Sequence, residues 1–322
     1  MNFRTFGRTG LKVSEISFGA WGIGGGMWQD SDDAESLRAL NKAIDLGINF
    51  IDTALAYGDG HSERLIGKVL KERNERVYVA TKIPPKNRLW PAKKESHADD
   101  AFPKSYIIEC TERSLKNLGV DCIDVQQFHV WIDEWIHQGS WREAIQQLKQ
   151  DGKIRAFGVS INNHSPETAL ELGRSGLADT FQVIYNIFDQ AAEERLFPLC
   201  LEKNIGVIVR VPFDEGSLTG KITPETTFPE KDWRNRYFRD DRKKQAWERV
   251  QRLQQLLNEE AKSLPELALR FCLSHPAVST IIPGMRTVDH VEANVAVSDG
   301  RLLSDVLRAD LKRHAWNRNF YQ

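Results

Sequence analysis

Short apolar runs recur along the chain at about 14–20, 49–54, 77–82, 123–130, 154–160, 181–186, 205–211 and 278–283. Between them, apolar residues return every three or four positions, as Leu37, Leu40 and Ile44 do behind Ser31 or Asp32, either of which can cap a helix. Four junctions share one arrangement: KAIDLGINFIDTA, LKNLGVDCIDVQQ, LKQDGKIRAFGVS and LEKNIGVIVRVP. Each closes an amphipathic stretch with a polar turn and a glycine, the residue that enters the left-handed conformation without a clash, and then starts a β-branched run. Eight strands alternating with helices predict parallel βαβ units, and near-continuous apolar strands predict a sheet covered on both faces. The architecture expected is a (β/α)8 TIM barrel, with a doubly wound open sheet as the alternative. Residues 2–11 (NFRTFGRTGL) read as a small hairpin turning at Gly7 to Gly10, ahead of the first barrel strand.

Two inserts break the rhythm. Residues 87–102 follow the third strand and are polar, and residues 221–241 follow the seventh. The stretch 231–244 mixes seven basic and three acidic residues with Trp233, Tyr237 and Phe238, and is expected to form a solvated lid or subunit contact. Ser304 or Asp305 can cap a last helix running to about His314, before an aromatic tail of Trp316, Phe320 and Tyr321. Length alone would suggest two domains. Eight βα units instead account for residues 1–322 as one barrel domain, with long loops at the C-terminal face.

Charge and composition then narrow the class. The chain has 44 Lys+Arg against 45 Asp+Glu, a net charge of −1, which argues against a nucleic-acid partner. The longest run of apolar residues and glycine, Phe18 to Trp28, has eleven residues, five of them glycine, too short to span a bilayer. No continuous apolar stretch near the N-terminus reads as a signal peptide. Cys110, Cys122, Cys200 and Cys272 lie far apart with no CxxC pair, so neither a metal site nor a disulfide framework is expected, and the cytoplasm is the default compartment.

In a barrel of this kind the active site forms where strands end. The second strand ends at Asp52 with Tyr57 just beyond, the third at Lys82 and the fourth at His129. Each alone has a structural reading, but four ionisable groups at three neighbouring strand ends make a catalytic candidate. An ammonium beside a tyrosine lowers its pKa, Asp52 can hold that ammonium, and His129 can orient a carbonyl oxygen towards Tyr57. Such a set becomes a reductase if a hydride source is present. The usual dinucleotide fingerprint does not supply one: Gly22-Ile23-Gly24-Gly25-Gly26 puts Met27 where GxGxxG needs its third glycine.

The chain resembles the aldo-keto reductases over roughly residues 3–300. NFIDTALAYGDGHSERLIG is similar to the segment carrying the family's Asp and Tyr, VYVATK to the one with its Lys, and DVQQFHV to the one with its His. The resemblance implies that Tyr57 is the general acid, that Asp52 and Lys82 tune it, and that His129 positions the carbonyl. It implies NADPH as cofactor, with NADH possible. Ser160 and Gln182 match positions that hold the nicotinamide carboxamide, while Ile161 stands where an Asn is usual. Arg210 replaces a stacking aromatic, and RVPFDEGSLTGK, with Phe213, Gly216, Ser217 and Lys221, resembles the loop over the pyrophosphate. IIPGMRTVDHVEAN resembles the adenosine 2′-phosphate segment, implying Gly284, Arg286, His290 and Asn294, with Ala293 where a second acidic residue is common. Gly19, Ala20, Trp21 and Asp52 complete the implied cofactor contacts.

The substrate implied is a small carbonyl compound. Trp21, Trp28, Trp90, Trp131, Trp135 and Trp141 fall in or beside the loops after the first four strands. Trp21, Tyr57, Trp90, His129 and Trp131 are the expected substrate contacts, and an aromatic mouth suits a hydrophobic or ring-bearing molecule or the apolar face of a sugar. Trp141, at a helix start, reads as a loop anchor. The second reading is a nucleotide-sensing regulatory module with slow turnover, since the family includes an ion-channel subunit. The sequence says nothing of self-association.

Overall fold

A computed structural model describes residues 1–26, 28 and 31–316. The hairpin forms as expected, with β1 (Phe3–Thr5) antiparallel to β2 (Lys12–Ser14) across a turn at Gly7–Thr9. Eight parallel strands follow: β3 (Phe18–Gly19), β4 (Phe50–Asp52), β5 (Tyr78–Ile83), β6 (Ile123–Phe128), β7 (Ile154–Ser160), β8 (Thr180–Ile184), β9 (Gly206–Arg210) and β10 (Thr280–Ile281). Each pairs with its neighbours in chain order from β3 to β10. The ring closes where Ser17 N donates to Ile281 O (2.8 Å), Ile281 N to Glu15 O (3.0 Å) and Gly19 N to Pro283 O (3.1 Å). The fold is therefore the TIM barrel rather than an open sheet.

Two strand expectations contract at this seam. The run 14–20 is split, because Ser14 belongs to the hairpin and only Phe18–Gly19 forms regular ladder. The run 278–283 keeps only Thr280–Ile281. Pro283, at its far end, has no N–H to extend a ladder.

Side chains alternate in and out of a strand, and this places the core. Phe50, Ala80, Val125, Ala156, Ile208 and Ile282 point inward and form a buried cluster, which Phe6 and Val13 from the hairpin seal from one end. Residues of the opposite parity, including Ile51, Val79, Val159, Val207 and Val209, pack against the outer helices. In the first of these (Asp33–Asp45), Asp32 rather than Ser31 is the cap, accepting from Glu35 N at 2.7 Å. The last helix spans Asp305–Lys312 under a Ser304 cap and stops just short of His314. Trp316 packs on Phe188 with ring centroids 5.8 Å apart, and Phe320 and Tyr321 lie outside the described residues.

The stretch 231–244 of the second insert, expected as a solvated lid or subunit contact, is partly buried. Ile222, Tyr237 and Phe238 bury themselves in a small apolar cluster with Ala246. The insert thereby carries Trp233 to 6.1 Å from Trp21, across the C-terminal mouth. Among the described residues no helix is long and apolar enough to cross a membrane.

The seam leaves no room for a side chain at Gly19, where a Cβ would sit 2.5 Å from Ile282 O and 2.8 Å from Pro283 O. Gly19→Ala must push two backbone segments apart and is expected to cost about 1–3 kcal/mol, read as a lower urea midpoint. An unchanged midpoint would mean that the seam is soft.

Candidate active site

The alternation that builds the inward cluster also builds the site. Two residues beyond Phe50, Ala80, Val125 and Ile208 stand Asp52, Lys82, Gln127 and Arg210, on the same inward face and at the C-terminal mouth. Two further along come His129, and on β7 Ser160, whose register partner on β8 is Gln182. Tyr57 reaches in from the loop after β4. That loop lies tight against Gly24: Gly58 has φ +61°, and a Cβ there would sit 1.9 Å from Gly24 O. Glycine is the residue that fits.

An ammonium can only donate, and it has three hydrogens to place. Lys82 Nζ lies 2.6 Å from Asp52 Oδ2, 2.7 Å from Thr53 O and 3.3 Å from Tyr57 Oη. Lys82 and Asp52 are both buried. Asp52 Oδ1 also accepts from Gln127 Nε2 (3.3 Å) and Gln182 Nε2 (2.7 Å), so both carboxylate oxygens are occupied. With Tyr57 Oη accepting from Lys82, the phenol keeps its own proton to give elsewhere. The His129 ring lies edge-on to Tyr57 (centroids 5.8 Å) and to Trp90 (5.5 Å), and its buried Nδ1 has no hydrogen-bond partner among the described residues.

Burial, opposed chiefly by the Lys82 ammonium, leaves the Tyr57 hydroxyl with a pKa above the ordinary tyrosine value. The sequence expectation of a lowered pKa is corrected here in its net sign: the lysine acts in the predicted direction, but desolvation outweighs it. His129 is driven well below the usual histidine range, first by burial and then by the charges of Lys82 and Arg210. It is a neutral imidazole at physiological pH.

The remaining predicted residues divide. Trp21 stands 6.2 Å from Tyr57 and 5.3 Å from Trp28, and Trp90 is half exposed at the rim. Trp131, expected at the mouth, is instead fully buried outside the barrel wall. It packs on outward-facing Phe128 and on Trp135 and Trp141, with its indole N–H given to Asp133. The three neighbours anchor the fourth loop, and Trp131 is withdrawn as a substrate contact. Trp233 takes a place at the mouth that its sequence position did not suggest. Gln127 was also missed, though its parity with His129 in DVQQFHV is the signal that finds it.

On the cofactor side, Gln182 spends its amide N–H on Asp52. Ser217 donates to Asp214 Oδ2 at 2.7 Å, so its hydroxyl is turned away from an incoming anion. Gly216 (φ +105°) lies in a run of left-handed residues with Asp214 and Glu215, next to partly buried Phe213. Ile161 donates its N–H to Gln182 O at 2.9 Å, and its carbonyl accepts from Arg210 Nη2 at 3.1 Å. Gly284, bridged to Gly19 across the seam, is exposed, with nothing among the described residues within 4 Å of where a Cβ would be, and Ala20 is buried. His290 is held below the usual histidine range by partial burial first, then by Arg286 and Lys221, so these three basic side chains gather at one edge of the mouth. Asn294, one turn further along the helix Val288–Val295, is buried. Glu35 and Thr287 already accept from two of that helix's first amides, those of Val288 and His290. Among the described residues no cluster of His, Cys, Asp and Glu could hold a metal ion.

A barrel with this set of strand-end residues defines a class, and the comparisons place the chain within it. Residues 15–312 match the aldo/keto reductase family, and the chain belongs to that family. It is 34% identical over 313 residues to aldo-keto reductase YhdN of Bacillus subtilis, covering 95% of this chain and 91% of that protein. It is 31% identical over 304 residues to the NADH-specific methylglyoxal reductase of Escherichia coli, covering 90% and 91%. The holo form of aldo-keto reductase AKR11C1 from Bacillus halodurans superposes with a TM-score of 0.78 at 29% identity, covering 100% of this chain and 99% of the other. The protein is thus an oxidoreductase of a family that uses nicotinamide cofactors.

Asp52→Asn would leave Lys82 buried without its counter-charge. The expected loss is about 3–5 kcal/mol of unfolding free energy, measured by urea denaturation at pH 7. A loss under about 1 kcal/mol would mean that water reaches the ammonium.

Proposed function

We propose that this protein reduces aldehydes or ketones to alcohols, with NADPH as reductant and Tyr57 as proton donor. The single observation that carries the reading is the set of contacts around Lys82, which leaves the Tyr57 hydroxyl oxygen as acceptor and its proton available. Neutral His129 can donate one N–H to a carbonyl oxygen and so hold that oxygen beside Tyr57. As the oxygen gains charge, Tyr57 passes its proton to it, and the resulting phenolate is stabilised by Lys82 at hydrogen-bond distance. A bound nicotinamide supplies the hydride. Ser160 and Gln182 at adjoining strand ends, the open space over Gly284 and the gathering of Lys221, Arg286 and His290 fit such a cofactor.

NADPH is favoured over NADH because Arg286 offers a fork matching phosphate oxygens and Lys221 adds a second charge. The chain's net charge is −1, so attraction for an anionic cofactor has to be local. Around the carbonyl site, Trp21, Trp28, Trp90 and Trp233 offer ring faces and edges. These support a hydrophobic or ring-bearing substrate, or a sugar presenting its apolar face.

Tyr57→Phe is expected to lower kcat/KM for aldehydes by a factor of roughly 10³ or more while NADPH affinity, followed by tryptophan fluorescence, stays within about twofold. An active Phe variant would remove Tyr57 from the mechanism. Tight NADPH binding by the wild type with no turnover across an aldehyde panel would favour a sensing role instead. Arg286→Ala should weaken NADPH by roughly tenfold or more and NADH far less, and equal losses would place the 2′-phosphate elsewhere. Because His129 is already neutral, kcat/KM for reduction should show no histidine step near pH 6.5. A step there that disappears in His129→Gln would contradict the neutral assignment.

A further inference from the structure

Arg210 is an unneutralised cation at the floor of the mouth. It follows Ile208 by two residues on β9 and so faces into the barrel, beside β8. Its Nη2 donates to Ile161 O at 3.1 Å and to Asn163 Oδ1 at 2.5 Å, both neutral oxygens. Its Nε is shut from solvent with no hydrogen-bond partner among the described residues. Among the described residues no carboxylate forms an ion pair with it. Lys82, by contrast, is matched one-for-one by Asp52. The inward layer of Asp52, Lys82 and Arg210 therefore carries one net positive charge, and that charge belongs to Arg210.

Arg210 shares the inward layer with Asp52 and Lys82, close enough for its charge to favour the ionised Tyr57 and the neutral His129. A hydride donor must come within about 3–3.5 Å of a carbonyl carbon held by those two residues. Any nicotinamide that serves this site consequently sits inside the field of Arg210. The reduced ring is neutral and the oxidised ring is a cation.

We infer that Arg210 makes the site distinguish the two charge states of its cofactor, holding NADPH and repelling NADP⁺, so that the oxidised form departs after turnover. The inference rests on the cofactor reading above and adds to it a charge-sensing residue. In a partly desolvated site, two cations several ångströms apart repel strongly enough to change a binding ratio by about tenfold or more.

The test is the ratio Kd(NADP⁺)/Kd(NADPH), measured by tryptophan fluorescence or calorimetry on the full chain without substrate. Arg210→Lys keeps the charge and should keep the ratio. Arg210→Gln removes the charge and retains a donor for Ile161 O, and the ratio should fall by about tenfold. Asn163→Asp leaves Arg210 in place and gives it a carboxylate partner at the oxygen it already uses, and the ratio should fall again. This second variant covers the case in which Arg210→Gln does not fold. A ratio unchanged in Asn163→Asp, with both cofactors still bound, overturns the inference and leaves the functional reading standing. Wild-type protein that binds neither form overturns both.

Discussion

A lysine ammonium buried inside a barrel is the constraint on which the site turns. Charge removed from water has to be compensated where it lies, and here compensation comes from three directions. Asp52 supplies the counter-charge, Thr53 a carbonyl and Tyr57 a phenol oxygen. Gln127 and Gln182 then occupy the other oxygen of Asp52. A group needed to stabilise a phenolate is thus also held rigidly by the strands around it, so positioning and electrostatics arise from one set of bonds.

Around this core the mouth is asymmetric. On one side aromatic rings from the first loop, the third loop and the insert after β9 surround Tyr57 and His129. On the other, Lys221 and Arg286, from the segments after β9 and β10, act on His290 of the helix Val288–Val295. The two sides suit an apolar substrate and an anionic cofactor, and Arg210 lies on the floor between Ser160's strand end and the seam. The insert joins the halves, because its apolar cluster anchors one end while Trp233 meets Trp21 at the other. Tyr237 fixes that anchor further by donating to Asp214 at 2.6 Å, in the strained loop just after β9.

Much of the catalytic layer was legible before any coordinates, and the reason is geometric. A β-strand repeats every two residues, so a residue two or four places beyond an inward apolar one must also face inward. Asp52, Lys82 and His129 obey that rule from Phe50, Ala80 and Val125, and the barrel topology sends all three to one end. Arg210, already implied as a cofactor contact, obeys it from Ile208, and Gln127 obeys it from Val125, although a neutral amide carries no ionisable signal of its own. The tryptophans obey no such rule. Trp90 and Trp131 both follow strand ends, yet one stands at the rim and the other behind the wall, where Phe128, Trp135 and Trp141 offered a better-packed pocket. The sign of the Tyr57 shift was equally out of reach, since it depends on how much water the surrounding rings exclude.

The sequence by itself determined the alternation of strands and helices, the inward parity of each strand and hence the company kept by Asp52, Lys82 and His129. These follow from local periodicity and from turn glycines, which act over a few residues. Only the tertiary structure decided the seam between Gly19 and Pro283, the crossing of Trp233 to Trp21, the withdrawal of Trp131, and the isolation of Arg210 from any carboxylate among the described residues. Each of those depends on which distant segment fills a given space, and packing is settled by the whole set of neighbours at once.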